Sequence, residues 1–161
     1  MLVVVDTNVV YQALRSSLGA SFYILSLIRN NKISLALSMQ VFNEYEDVLK
    51  RPSTIKDLKL SFGDIEKILQ FIAFIGKPYT TYYLFRPNLK DESDNMFIEL
   101  AIVSNCNYLI TNNVRDFTTK SELKFQDLKV ITPSDFVKMW RKNHESKSQR
   151  IDHTRTQRAE T

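Results

Sequence analysis

Leu2-Val3-Val4-Val5-Asp6-Thr7-Asn8 opens the chain with four apolar residues, three of them β-branched, followed at once by an acid and two polar residues. A continuous apolar, β-branched run is the pattern of a strand covered on both faces, as in a parallel sheet. The pattern returns as ISLALS (33–38), YLIT (108–111) and KVIT (129–132). Helical periodicity fills the gaps. Apolar positions from Val9 to Ile28 recur at helical spacing, with Gly19 predicting a break into two helices and Arg29-Asn30-Asn31-Lys32 closing the second. Ser38 is placed to N-cap a helix from about Met39 to Lys50, stopped before Pro52. Ser61, three residues before Asp64, opens a further helix that runs to Gly76. YTTYYLF (79–85) reads as a short strand or extended segment, Asp91-Glu92-Ser93-Asp94 begins a helix to about Asn105, and Pro133 begins a closing helix. Strands alternating with helices predict an α/β fold: a single-domain, three-layer α/β/α sandwich around a central parallel sheet with right-handed crossovers.

The 161 residues suit one domain able to bury a core, and 43% apolar with 25% charged residues excludes a disordered or coiled-coil chain. No run of 18 uncharged apolar residues occurs and no basic segment precedes the first apolar run, so no membrane span or signal peptide is expected and the location is read as cytoplasmic. Cys106 is the only cysteine, which excludes an internal disulfide and a thiolate metal cluster. Both histidines, His144 and His153, fall near the end, so nucleophilic triads and histidine-bound metals are excluded from residues 1–140. The three glycines are too dispersed for a phosphate-cradling loop. If the body is an enzyme, carboxylates must carry the chemistry. Residues 141–161 hold six Lys or Arg against three acids and one large apolar residue, Ile151, so they are read as a basic, flexible tail, with a domain over 1–140.

In an open parallel sheet the site belongs outside the carboxyl ends of the strands. Asp6 follows the first strand directly, and Asp116 is placed in the loop after YLIT. On SMQVFNEYEDVLKRP, Glu44 and Glu46 border the apolar stripe from opposite sides and periodicity leaves both open, while it sends Asp47 to solvent. Asp94 shares a stripe with Ile98 and Ala101 on an almost wholly apolar helix, where an ionised carboxylate is costly without a partner. Taken singly, Asp6 reads sooner as a turn former or an N-cap than as a ligand, and Asp94 sooner as a first-turn acid favoured by the helix dipole. Acids from separate elements aimed at one crevice would instead repel strongly without a cation. Mg²⁺ or Mn²⁺ fits an all-oxygen donor set and serves phosphodiester hydrolysis.

The order VVVDTNV, S-x-x-V-F-x-E with VLKRP, DESDNMFIELA, YLITNNVRDF and VITPSDF over residues 1 to about 140 resembles the PIN-domain family. These are metal-dependent ribonucleases, many of them VapC-like toxins of toxin–antitoxin pairs. The resemblance implies a PIN-like fold, and it selects Glu44 over Glu46. Asp6, Glu44 and Asp94 take the family's three most regular acidic positions and Asp116 the fourth, so these four are the implied catalytic and metal-binding residues, with Mg²⁺ or Mn²⁺ as cofactor. Asn113 stands where many members have Asp and brings no charge to a second metal position. Thr7, Asn8, Ser38, Thr111 and Asn113 are implied to orient the acids. The implied products carry 5′-phosphate and 3′-hydroxyl ends, and the implied partners are an RNA substrate, an antitoxin and a second copy in a homodimer.

Arg15, Lys50, Arg51, Arg115 and the tail are candidates for the phosphate backbone, and Tyr79, Tyr82, Tyr83 and Phe85 for base stacking. Aspartyl-phosphate phosphatases need a second acid where Asn8 stands, and a receiver domain needs paired acids near its N-terminus, so both fit poorly. The competing reading is a PIN-like module that binds RNA or protein with a degenerate metal site, which Asn113 favours.

Overall fold

Val3, Val4 and Val5 alternate between the two faces of their strand, yet none has any exposed surface. Both faces of β1 (Leu2–Val5) are therefore covered, which is the layered arrangement that its continuous apolar pattern predicts. The computed structural model describes residues 1–82, 92–118 and 128–144, with only the backbone described at 92–94 and 118. After β1 come α1 (Thr7–Arg15), α2 (Ala20–Arg29), β2 (Ser34–Leu37), α3 (Met39–Leu49), α4 (Pro52–Leu58), α5 (Phe62–Ile75) and β3 (Lys77–Pro78). Then follow α6 (Glu92–Val103), β4 (Tyr108–Ile110), α7 (Val114–Thr118), β5 (Lys129–Ile131) and α8 over residues 133–144.

The sheet has strand order β3-β2-β1-β4-β5 and every pairing is parallel. The chain builds outward from β1 through β2 to β3, then crosses to the other side of β1 to add β4 and β5. The order of connection therefore reverses between β1 and β4, and crevices for ligands open at such a reversal. The register Val5↔Ile110 and the Asp6 N–H bond to the Ile110 carbonyl at 2.9 Å put the ends of both strands level there. α6 packs against β1, β2 and β4, and its Phe97, Ile98, Leu100 and Ala101 are buried with the strand side chains in one continuous core.

Local signals account for the boundaries. Ser38 accepts from the Val41 N–H at 3.2 Å and caps α3, while Ser61 and Asp64 form a reciprocal capping box on α5. Thr132 accepts from the Asp135 N–H at 3.2 Å and opens α8 beside Pro133.

Three expectations need correction. The edge strand is Lys77–Pro78, just before the stretch read as extended from Tyr79. β2 ends at Leu37 and turns into α3, so after the Tyr79 N–H bond to the Leu37 carbonyl no partner strand remains; Tyr83 to Phe85 lie outside the described residues. Residues 52–58 form α4, with Pro52 at its first position, where the reading of Pro52 as a stop missed a start. Asp116 is not in a loop but in the first turn of α7, a helix opened by the Asp116 N–H bond to the Asn113 carbonyl at 3.0 Å. Residues 145–161, most of the expected tail, lie outside the described residues. No helix among the described residues is long and apolar enough to cross a membrane.

Candidate functional site

Asp6 occupies the N-cap position of α1 but its side chain makes no cap bond, although Asp is among the strongest N-cap formers. Its carboxylate faces the reversal point instead. Oδ2 accepts from Thr111 Oγ1 at 2.6 Å, across from the end of β4, and from Asn8 Nδ2 at 2.8 Å. Asn8 is itself held: its Oδ1 accepts from the Asn112 N–H at 3.4 Å and from Asn112 Nδ2 at 3.3 Å. The Asn113 N–H donates to Thr111 Oγ1 at 3.0 Å. The TNN segment after β4 thus clasps Asp6 through main-chain and side-chain groups alike.

Asp6 is only 6% exposed. Burial raises its carboxyl pKa above the ordinary aspartate value, and hydrogen bonding from Thr111, from Asn8 and from the Thr7 main chain only partly offsets this. Among the described residues no basic side chain forms an ion pair with it. A carboxyl shifted by burial at the edge of a cleft makes Asp6 a candidate functional residue.

Asp6 opens on a cleft of about 560 Å³ whose wall is Thr7, Asn8 and Tyr11 of α1, Glu44 and Val48 of α3, and Ser53, Thr54 and Asp57 of α4. Its wall contains three carboxylates and no Lys or Arg. Glu44 stands in it beside Asp6, half-buried, whereas Glu46 turns away to Lys50 at 2.7 Å and Asp47 is exposed and paired with Arg51 at 2.8 Å. Periodicity left Glu44 and Glu46 equal; the packing of α3 against α1 and α4 separates them. Asp57 and Tyr11 were not singled out in the sequence. The Tyr11 hydroxyl donates to Asp57 Oδ2, and Arg15 Nε lies 3.7 Å from the same oxygen, which ties α4 to α1 along one side of the cleft. The sequence signal for this wall was Pro52, a helix-starting residue in the right place.

Asp94 lies in the first turn of α6, and its side chain is outside the described residues. Asp116 is exposed and does not line the cleft. Among the described residues no three Asp, Glu, His or Cys side chains are gathered as a metal-holding group. Thr7 Oγ1, in the cleft wall, and Asn95 Oδ1, next in sequence to Asp94, are buried without a hydrogen-bond partner. An orphaned hydroxyl oxygen beside a buried carboxylate, in a wall with two further carboxylates, fits a hard divalent cation with its waters. Ser38 caps the helix that carries Glu44, accepting from the Val41 N–H, and is not hydrogen-bonded to Asp6.

Of the basic candidates, Arg15 is engaged with Asp57, Lys50 with Glu46 and with Glu66 at 3.2 Å, and Arg51 with Asp47. Arg115 is exposed. Tyr82 is 70% exposed and Tyr79 half-buried. A second cavity of about 420 Å³ lies among α1, α2 and α5 and is walled mostly by apolar side chains, with no acid.

The family model described as PIN domain matches residues 2–115. Among solved structures the chain is similar to a crystal structure of VapBC2 from Rickettsia felis bound to a DNA fragment from its promoter. The TM-score is 0.53 and the identity 18%, over 81% of this chain and 98% of that one. No curated protein matches.

Proposed function

The chain belongs to the PIN-domain family, and from that premise we propose that it is a metal-dependent endoribonuclease and the toxin of a toxin–antitoxin pair. The observation that carries the reading is Asp6: a buried carboxylate at the sheet reversal that forgoes capping its own helix and is held by Thr111 and Asn8 toward an acidic cleft. Asp6, Glu44 and Asp94 would hold one Mg²⁺ or Mn²⁺. Bound there, the ion would supply charge neutralisation for the clustered acids, polarisation of the phosphate and a lowered pKa for an attacking water. Asp116 helps to position the attacking water from the exposed first turn of α7. Water attacks phosphorus, the bond to the 3′ oxygen breaks, and the fragments leave with 3′-hydroxyl and 5′-phosphate ends.

Asn8 and Thr111 fix the rotamer of Asp6 so that its outward oxygen serves the cleft, and Asn113 supports Thr111 through its main chain. Arg15, Lys50, Arg51 and Arg115 meet the RNA backbone. The first three do so by exchanging exposed carboxylate partners for phosphates, a cheap exchange because exposed ion pairs contribute little. The fold shared with VapBC2 supports proposing an antitoxin partner, and a homodimer in a cytoplasmic setting completes the reading.

The test is cleavage of a labelled RNA with Mn²⁺, with EDTA, and by Asp6→Asn. Cutting that both controls abolish is expected. Binding of RNA without cutting by the metal-loaded wild-type chain would favour the degenerate binding module instead.

A further inference from the structure

Tyr45 follows Glu44 on α3 and is among the largest side chains with no exposed surface. A phenylalanine would fill the same apolar space, whereas a buried phenol needs a partner for its hydroxyl. The partner is the main-chain carbonyl of Val5, the residue directly before Asp6. That carbonyl sits where the ladder gives out. Asp6 turns its N–H toward β4, so the main-chain groups of Val5 face the β2 side, and the β1–β2 pairing runs only to Val3↔Leu35. The tyrosine hydroxyl takes the place of the missing strand partner.

Two acids of the cleft are therefore one residue away from either end of a single hydrogen bond. We propose that Tyr45 is a positioning residue for the cleft: by donating to the Val5 carbonyl, it sets the separation between Asp6 and Glu44 for a divalent cation. On a helix, neighbouring residues project about 100° apart. Pinning Tyr45 in the core thus fixes both the rotation of α3 and its distance from the end of β1, and with them Glu44. A sub-ångström tolerance in ligand placement makes such an anchor consequential. Burial and the nearby Asp6 charge raise the pKa of the Tyr45 phenol, so it stays a neutral donor across the working pH range.

The inference rests on the proposed metal-dependent function. Its test is Mn²⁺ affinity by calorimetry on the full chain, without RNA, for wild type, Tyr45→Phe and Leu69→Ala. Leu69 is a core residue of α5 outside the cleft wall, so its truncation loosens the fold without touching the anchor. Tyr45→Phe is expected to weaken Mn²⁺ about tenfold, the lower end for partners that orient metal ligands, while Leu69→Ala stays within about twofold of wild type. Unchanged affinity in Tyr45→Phe, or an equal loss in Leu69→Ala, overturns the proposal. Should Tyr45→Phe not fold, 3,5-difluorotyrosine installed at position 45 keeps the hydroxyl and changes its donor strength. A Mn²⁺ affinity altered at least about twofold then supports the anchor, and an unaltered one overturns it. A wild-type chain that binds no Mn²⁺ fails the functional reading itself, which is a different result from a wild-type chain that binds while Tyr45→Phe binds equally well.

Discussion

β1 and β2 are both four residues long, both run from a half-buried first residue to three buried ones, and both pass through a single residue into a helix. At the end of β2, Ser38 turns its hydroxyl back onto the Val41 N–H and caps α3. At the end of β1, Asp6, of a type that caps at least as well, makes no such side-chain cap bond; its carboxylate is buried between Thr111 at the end of β4 and the Asn8 side chain in the first turn of α1. One junction spends its polar side chain on the stability of its helix. The other makes no side-chain cap bond of that kind, holds its carboxylate across to the end of β4, and accepts the cost of a buried charge. That contrast separates a structural residue from a candidate catalytic one more sharply than burial alone.

Substituting the two junction residues should separate them most. Asp6→Asn preserves size and an acceptor oxygen, so circular dichroism should show the fold retained. RNA cleavage should fall by more than about 100-fold, beyond the 10- to 100-fold typical of outer partners. Asn8→Ala, which removes the donor to Asp6 while leaving the acid, should lower Mn²⁺ affinity within that 10- to 100-fold range, read by calorimetry. At the other junction, Ser38→Ala should cost about 1 kcal/mol in chemical denaturation while cleavage and Mn²⁺ affinity stay within about twofold. A cleavage loss at Ser38 matching that at Asp6 would erase the distinction.

The subtlest contrast is one of sign. The folded carboxyl of Asp6 is raised above its ordinary value, so its ionisation costs the native state stability. The cost grows as pH rises from the usual aspartate value through the raised one and is full above it. In EDTA at neutral pH, Asp6→Asn should therefore melt above wild type, and the gap should close as pH falls below about 3.9. Added Mn²⁺ should raise the melting temperature of wild type and leave the variant unmoved. Ser38→Ala should show neither dependence.

Much of the framework was legible in the sequence because it is locally encoded. The four runs LVVV, ISLALS, YLIT and KVIT each yielded a strand, and Ser38, Ser61 and Pro133 each marked a helix start. Elements without that local signature escaped. α4 is only seven residues long, too short for a periodic stripe, and β3 is a two-residue edge strand whose existence depends on where β2 stops. Within the cleft, Asp6 was legible from its place after a buried strand. The preference for Glu44 over Glu46 came from resemblance, since either fits the helical stripe, and in the fold α3 packs so that Glu44 lines the cleft while Glu46 meets Lys50. Asp57 and Tyr11 were invisible because 46 residues separate them and only the docking of α4 on α1 joins them.

The most direct measurement is anomalous diffraction from crystals of the full chain equilibrated with Mn²⁺. The account predicts an anomalous peak bounded by the carboxylates of Asp6, Glu44 and Asp94, absent in Asp6→Asn. Saturating Mn²⁺ with no peak in the cleft, or a peak that Asp6 does not touch, would contradict it.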